Sequence, residues 1–421
     1  MKSLFKIVSL SIVIFYLGCA PGVDQNLKKD FPESFSIIVQ NDTDVMRNDE
    51  AVFLEIEKLK TEAPDFNPTA FVVFSNGMEL ASQANDLNAD GNPDQIVAVT
   101  DFKPKEKKRL SLRYKTSGIK SRDYAKRTQA ELSIKTGGKF VDRKYEGGTF
   151  QNVQFLRVPF EHTDHSEFIR YEGPGWESDK VGYRFYLDWR NAIDIFGKKI
   201  PGMTLQNVGQ DGFDSYHEMS DWGMDILKVG ESLGIGSVAI WHDDKASRVS
   251  QTDSVTCEIV QNGAVQSLIR TIYFGWKVGS GRYQLTSELS IIAGSRITRH
   301  SLQIEGNPDN LCTGLVKLPE AALIQPPEGQ NDWTYLATYG KQSLADDSLG
   351  MAIMFNRNYL IEITEDELSH VVVLEPDNGS LTYYFLAAWE QEPDGIKTKE
   401  EFIEYLKEMV QRLNHPLMVQ Y

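Results

Sequence analysis

Between His162 and Lys199 the chain gathers side chains that move protons, pair with anions and offer flat apolar faces. His162, Asp164 and His165 open the run, a Gly173-Pro174-Gly175 turn divides it, and Trp176, Glu177, Tyr183, Arg184, Asp188, Arg190 and Asp194 follow. This mixture suits a polar, ring-shaped ligand such as a uronic acid. Elimination at a uronate needs its carboxylate neutralised, a base at C5 and an acid at the leaving oxygen. His165, Tyr183, His217 and His300 are the candidates for proton transfer, Arg184, Arg299 and Lys317 for the carboxylate, and Trp176 and Trp222 for stacking on the ring. Hydrolysis needs instead two carboxyl groups flanking the bond. Glu172, Glu177, Asp188, Asp194 and Asp225 offer several pairs, with Glu177 and Asp225 read as ligand-binding. Against each assignment stands a plainer role, because aromatic residues commonly pack cores and acids commonly form structural ion pairs.

Three further stretches match metal or nucleophile patterns. Asp86, Asn88, Asp90 and Asp94 set oxygens at alternate positions around Gly91, the spacing of a short calcium loop. Val97 stands where an EF-hand carries its bidentate Glu, so the expected ion is a structural Ca2+ outside an EF-hand; no organic cofactor is implied. His162, Asp164 and His165, completed by His217 or His300, would make a zinc pattern, although local His pairs more often form hydrogen bonds. Gly230-Glu231-Ser232-Leu233-Gly234 fits G-x-S-x-G, yet a strand pattern follows it where a nucleophile elbow needs a helix, which predicts a hairpin.

The 421 residues carry a formal charge of −16, with 41% hydrophobic and 25% charged residues. That composition is of a folded protein, and its acidic balance argues against nucleic acid, which needs a basic face. Lys2 and Lys6 precede an apolar run from Ile7 to Leu17 that ends at Gly18-Cys19, the layout of a bacterial lipoprotein signal, with Tyr16 where Leu is usual. The expectation is a signal peptide over 1–18, a lipid on Cys19, a tether over 19–30, and an exported protein that meets the membrane only through its lipid, or is free in the periplasm. Cys257 and Cys312 remain, either paired or buried singly.

The elements that must position these residues read as strands. Phe71-Val72-Val73-Phe74, Ile96-Val97-Ala98-Val99 and the alternating Arg109 to Tyr114 predict a small N-terminal β-sandwich over 31–118. Alternation continues through Ala130 to Lys135, Tyr183 to Asp188, Ser254 to Val260, Leu285 to Ile291 and Thr298 to Ile304, punctuated by turns such as Asn262-Gly263. The class is all-β, and residues 119–421 are expected to form one large antiparallel super-sandwich carrying the glycan site. One helix stands out: Thr398 and Glu401 make a capping box, and Phe402, Ile403, Leu406, Met409, Val410 and Leu413 share a face.

The runs Glu172 to Asp179, Tyr183 to Asp188, Arg190-Asn191, Asp194 to Lys198 and Asp221 to Asp225 resemble those of the domain of unknown function 4861, a family of secreted proteins of Bacteroidota. The similarity extends to the Asp-Gly turn near Asp90 and to Tyr383 through Trp389. It implies a role in using uronate-containing, pectin-like polysaccharides and a galactose-mutarotase-like form of the super-sandwich. It brings no catalytic residues with it. The leading expectation is a lyase or hydrolase acting on an oligo- or polysaccharide; the alternatives are a non-catalytic glycan-binding lipoprotein and an aldose epimerase.

Overall fold

The computed structural model describes residues 25–212, 214–329 and 331–421. The signal peptide and Cys19 lie outside these residues. Of the stretch expected as a tether, Gln25–Asp30 is a short helix whose Leu27 packs on Phe31, Val72 and Phe74.

The first β-rich stretch folds as two packed sheets. Lys107–Tyr114 lies between Glu33–Gln40 and Phe71–Ser75 in one sheet, and Arg47–Glu55, Gln95–Phe102 and Ser82–Asn85 form the other. Their alternating positions Ile37, Val52, Leu54, Ile96, Leu110 and Leu112 meet in a buried core. The far end of the chain completes it, since Met418–Gln420 pairs along Glu33–Gln40.

The larger part has two layers. A nine-stranded antiparallel sheet includes Ser254–Asn262, Gln266–Val278, Gly281–Ile292, Ile297–Glu305, Ser380–Trp389 and Ser348–Asn356. The facing layer consists of two five-stranded sheets. One holds Thr128–Glu131, Gly175–Ser178, Gly182–Phe185, Ile193–Lys198 and Gly223–Asp225; the other runs from Lys245–Arg248 to Leu360–Glu365. Bridges from Gly234 to Ile193 and from Ile235 to Leu315 join the two. One continuous apolar core fills the space between the layers.

Three local readings need correction. The strand expected over Ala130 to Lys135 breaks at Leu132 into Thr128–Glu131 and Ser133–Thr136. The strand expected over Tyr183 to Asp188 stops at Phe185, and the chain then turns to Asn191, which adopts a φ of 41°. At the G-x-S-x-G match the next strand begins only at Ala239. Ser232 is buried there, its Oγ donating to Val229 O (2.6 Å) and accepting from Gly234 N (2.9 Å), so it serves the turn. Cys257 and Cys312 are separate buried thiols.

The helix Lys399–Asn414 starts at the capping box of Thr398 and Glu401. Phe402, Leu406, Met409 and Val410 bury against Tyr335, Tyr339, Ala352 and Leu386 on the outer face of the nine-stranded sheet. Gly350 makes the close approach feasible, because a Cβ there would stand 2.7 Å from the Phe402 ring. Truncating Phe402 leaves a cavity that a sheet and a capped helix cannot close. Phe402→Ala is expected to cost about 3–5 kcal/mol, read as a lower midpoint in urea unfolding; a shift under about 1 kcal/mol would mean the helix is not anchored through this ring.

Candidate functional site

The shorter sheet of the facing layer sorts its residues by parity. Ala130, Trp176, Tyr183, Phe185, Ile193, Ile195 and Met224 face the common core. The intervening positions Glu131, Glu177, Arg184, Asp194, Lys198 and Asp225 occupy the opposite face. Such alternation would ordinarily leave the charged face in water. Here it is covered, and all six side chains are buried. The cover includes Tyr171, Leu205, Val208 and Tyr216, which cluster around Phe196.

Buried charges require partners, and these are paired within the face. Glu131 meets Arg170, and its carboxylate accepts the Tyr171 hydroxyl at 2.6 Å. Glu177 meets Lys198 and accepts the backbone amides of Thr204 (2.8 Å) and Leu205 (2.9 Å). Arg184 lies at the centre. Its Nη2 donates to Asp194 (2.8 Å), Asp225 (2.6 Å) and the Tyr186 hydroxyl (3.0 Å), and its Nη1 to Tyr171 O (3.1 Å) and the Tyr216 hydroxyl (2.9 Å). With two carboxylates on one guanidinium nitrogen, burial first and the Asp225 charge second push the Asp194 carboxyl up to about 7.

From Arg184 the network reaches the surface at two imidazoles. On one side Asp225 lies 3.3 Å from Nε2 of His217, whose side chain is 45% exposed. The hydrogen bond with Asp225 raises the His217 pKa above its ordinary value, against a smaller lowering by burial. On the other side Glu172 lies 3.9 Å from Arg184 and 3.8 Å from Nδ1 of His165, which is 55% exposed and also touches Asp164. Burial alone would raise Glu172, but Arg184 and Arg190 hold its carboxyl down to about 2. Arg190 ties this branch together, reaching Asp164 (2.9 Å), Glu172 (2.8 Å) and Asp188 (2.5 Å) while stacking 3.9 Å from the Tyr186 ring centre.

The backbone here is strained. Tyr171 (φ 39°) and Glu172 (φ 68°) are consecutive left-handed residues, with His165 (φ 54°) and Glu167 (φ 60°) close by. Such conformations cost on the order of 1–3 kcal/mol each and gather at functional sites. Gly173 lets this turn seat against the sheet, because a Cβ there would stand 1.7 Å from Phe185 O.

The structure thus brings together His165, His217, Arg184 and Asp225 and reassigns other candidates. Tyr183 is core: its hydroxyl donates to Arg296 O (2.7 Å) and accepts from Ala387 N (2.9 Å), and burial drives its pKa well up. His300 is also core, bonded to Ser287 at 2.7 Å and lowered by burial to about 3, so neither can meet a substrate. Trp176 has no exposed surface; it stacks on Tyr183 and donates to Thr298 Oγ1 at 2.9 Å. Arg184 and Glu177 are fully engaged inside, which removes them as contacts to ligand, and Asp225 reaches outward only through His217. Arg299 is exposed, adjacent in its strand to the inward His300 and so on the outer face of the nine-stranded sheet. Lys317 sits with Glu365 (3.2 Å) at the other five-stranded sheet. Of the residues expected to stack on a ring, Trp222 keeps an aromatic surface beside the site, packed edge-on against Phe196 and partly exposed.

Neither metal pattern is simple. Among the described residues, Asp164, His165 and Glu172 converge closely enough to hold an ion. The Arg190 guanidinium already supplies the positive charge between Asp164 and Glu172. In the Asp86 to Asp94 loop, Asp86 accepts Gly91 N (2.7 Å), Asn88 and Asp86 accept Asp90 N, and Asp94 accepts Leu87 N (2.7 Å). That loop docks on the large sheet through Arg270 and Gln261.

The chain belongs to the family described as domain of unknown function DUF4861, whose pattern matches residues 39–419. A comparison with curated proteins gives no match. Among solved structures it is similar to a glycosyl hydrolase family 38 protein from Enterococcus faecalis, at 10% identity and a TM-score of 0.43 over 94% of this chain and 48% of that one. It is also similar to an alpha-mannosidase from Enterococcus faecalis V583, at 10% identity and 0.44 over 92% and 46%. A protein presented as an aldose 1-epimerase from Klebsiella pneumoniae subsp. pneumoniae MGH 78578 gives 10% and 0.32 over 58% and 84%. The chain spans about half the length of the two Enterococcus structures, and likeness at this level carries no inference about reaction or substrate.

Removing the central guanidinium should strand two buried carboxylates. Arg184→Met is expected to lose about 3–5 kcal/mol at pH 7. The sign with pH follows from Asp194: its folded value lies above its ordinary 3.8, so its contribution is full below 3.8 and is lost as pH rises through about 7. Without Arg184 the acid form should be favoured further, and the loss should shrink at pH 5. Urea midpoints at the two pH values read this directly; an equal loss at both would show that the arginine does not compensate these carboxylates.

Proposed function

We propose that this family member is an exported carbohydrate-active enzyme, lipid-anchored through Cys19, that cleaves uronate-containing oligosaccharides by elimination. The observation that carries the reading is the pair of half-exposed imidazoles, His165 and His217, each seated on a carboxylate and both tied to one buried Arg184. A carboxylate behind an imidazole orients it. His217, with its raised proton affinity, suits the acid. His165 then suits the base. The base takes the C5 proton, the C–H electron pair forms the C4–C5 double bond, the C4–O bond breaks, and the acid protonates the departing oxygen. Trp222 offers the ring a stacking surface, and the cation that elimination needs at the uronate carboxylate is none of Arg184, Arg299 and Lys317, which the fold engages or places elsewhere. Hydrolysis by a carboxyl pair finds less support, because Asp194 and Asp225 are both buried against the same arginine nitrogen. A structural Ca2+ held by Asp86, Asn88, Asp90 and Asp94 belongs to the same reading.

The direct test is incubation of the purified protein with pectic, alginate, ulvan and glucuronan oligosaccharides, following ultraviolet absorbance of the unsaturated product and its mass. One substrate should be cleaved without uptake of water. His165→Gln and His217→Gln should each lower kcat about 10²–10⁴-fold. In the unaltered protein, activity should fall on an alkaline limb above pH 6.5, where His217 loses its proton, and that limb should vanish in His217→Gln. Water uptake would move the chemistry to hydrolysis, and binding without cleavage would make the protein a glycan-binding module. For the calcium loop, chelation should lower the melting temperature and added Ca2+ restore it; an unchanged melting curve removes the ion.

A further inference from the structure

The wall formed by Asp188 to Asn191 has a second side. There it borders a cleft of about 630 Å³, open to solvent, which is also lined by Arg143, Arg157, His162 and Tyr273. The strand Phe155–Arg157 at the margin of the nine-stranded sheet contributes Arg157.

The charges of this cleft do not cancel. Its two acids are occupied, Asp188 by Arg190 and Asp253 by Arg282. Arg157 is exposed and has no ion-pair partner among the described residues, and Arg143 donates only to main-chain oxygens of Phe160, Glu161 and His162 at 3.3–3.4 Å. In a chain of net charge −16 these are two uncompensated guanidiniums at one opening. Flat apolar surface accompanies them: Trp189 is 41% exposed beneath Arg248, and Phe160 is 88% exposed beneath Arg143.

Among the described residues that line the cleft, one buried group lacks a partner. His162 is 6% exposed, and its Nε2 has no hydrogen bond to any protein atom. Its Nδ1 lies 2.7 Å from Ser166 Oγ, which already accepts from Phe168 N (3.4 Å). The Ser166 hydroxyl has no other acceptor among the described residues, so its proton is assigned to Nδ1, which places the imidazole proton on Nε2. Burial lowers the His162 pKa to about 4, so the ring is neutral at pH 7. A buried donor of this kind is costly unless an acceptor reaches it.

We propose that this cleft is a binding site for a sugar unit bearing one anionic group. Arg143 and Arg157 take the anion, Trp189 takes a face of the ring, and the His162 Nε2 proton is donated to a ring substituent. The inference rests on the reading of the chain as glycan-acting, but it concerns a site apart from His165 and His217 and survives if cleavage does not occur there.

The test is calorimetric titration of the purified protein with matched trisaccharides: uronate-bearing, sulfated and neutral. The same series is run on His217→Gln, so that binding is read without turnover. One anionic class should bind, more weakly as salt rises, and the neutral one should not. Arg157→Ala and Trp189→Ala, both at exposed positions, should each weaken it about tenfold, and His162→Phe should weaken it by a similar factor. Preference for the uronate identifies the carboxylate as the anion, and preference for the sulfated sugar identifies the sulfate. Equal binding of the neutral sugar, no binding at all, or anionic binding indifferent to Arg157 and Trp189 would overturn the assignment. Cleavage without such binding would overturn the cleft while leaving the elimination reading intact.

Discussion

A sheet face made of charged residues and then sealed from water places a severe demand on everything around it. An ion taken out of water is costly by several kcal/mol even after relaxation, and it is tolerated only when counter-charges and hydrogen bonds surround it. Glu131, Glu177, Arg184, Asp194, Lys198 and Asp225 set that demand on the short sheet. Arg184 can be satisfied only if Tyr171, Tyr186 and Tyr216 bring oxygens to fixed points around it. Those three residues come from three separate turns. The left-handed backbone at Tyr171 and Glu172 follows from the same demand, since an ordinary extended path would direct neither the Tyr171 carbonyl to Arg184 nor the Glu172 carboxylate to Arg190.

Much of the architecture was legible because strand periodicity is local. The alternating runs at Arg109 to Tyr114, Leu285 to Ile291 and Thr298 to Ile304 each lie in a strand. The capping box at Thr398 and Glu401 starts its helix. The addition of Met418–Gln420 to the first sandwich could not be read in this way, because the pairing joins residues from opposite ends of the chain and three residues carry little pattern of their own.

The site was legible in its neighbourhood and misread in its members. Adjacent strand residues point to opposite faces, so Tyr183 and Arg184 could never have shared one pocket, nor could Arg299 and His300. Parity alone would have sent Trp176, Tyr183 and Phe185 to the core together and left Arg184 with Asp194 and Asp225. What parity could not reveal is that the charged face is covered. A polar, alternating strand ordinarily signals a solvated surface, and the loops that close over this one come from distant parts of the sequence. The directions of Tyr186, Asp188 and Arg190 were hidden for another reason: these residues sit in a turn where the strand pattern stops, so no periodicity marks where they point.

Covering the charged face also shapes the chemistry available at its edge. A carboxylate held in water would support a histidine weakly, because solvent screens the pair. Asp225 is almost wholly buried and anchored by Arg184, so its one outward contact, His217, meets a charge that water does not dilute. Glu172 lies beside His165 in the same way, with Arg190 as its second anchor. Arg190 in turn grips Asp188 at the wall of the neighbouring cleft. The proton affinity of His217 is therefore set from below, by an arrangement whose members cannot move independently. The imidazoles stay accessible while the groups behind them stay fixed, and that division between exposed reactive atoms and an enclosed charged support is what the sealed face provides.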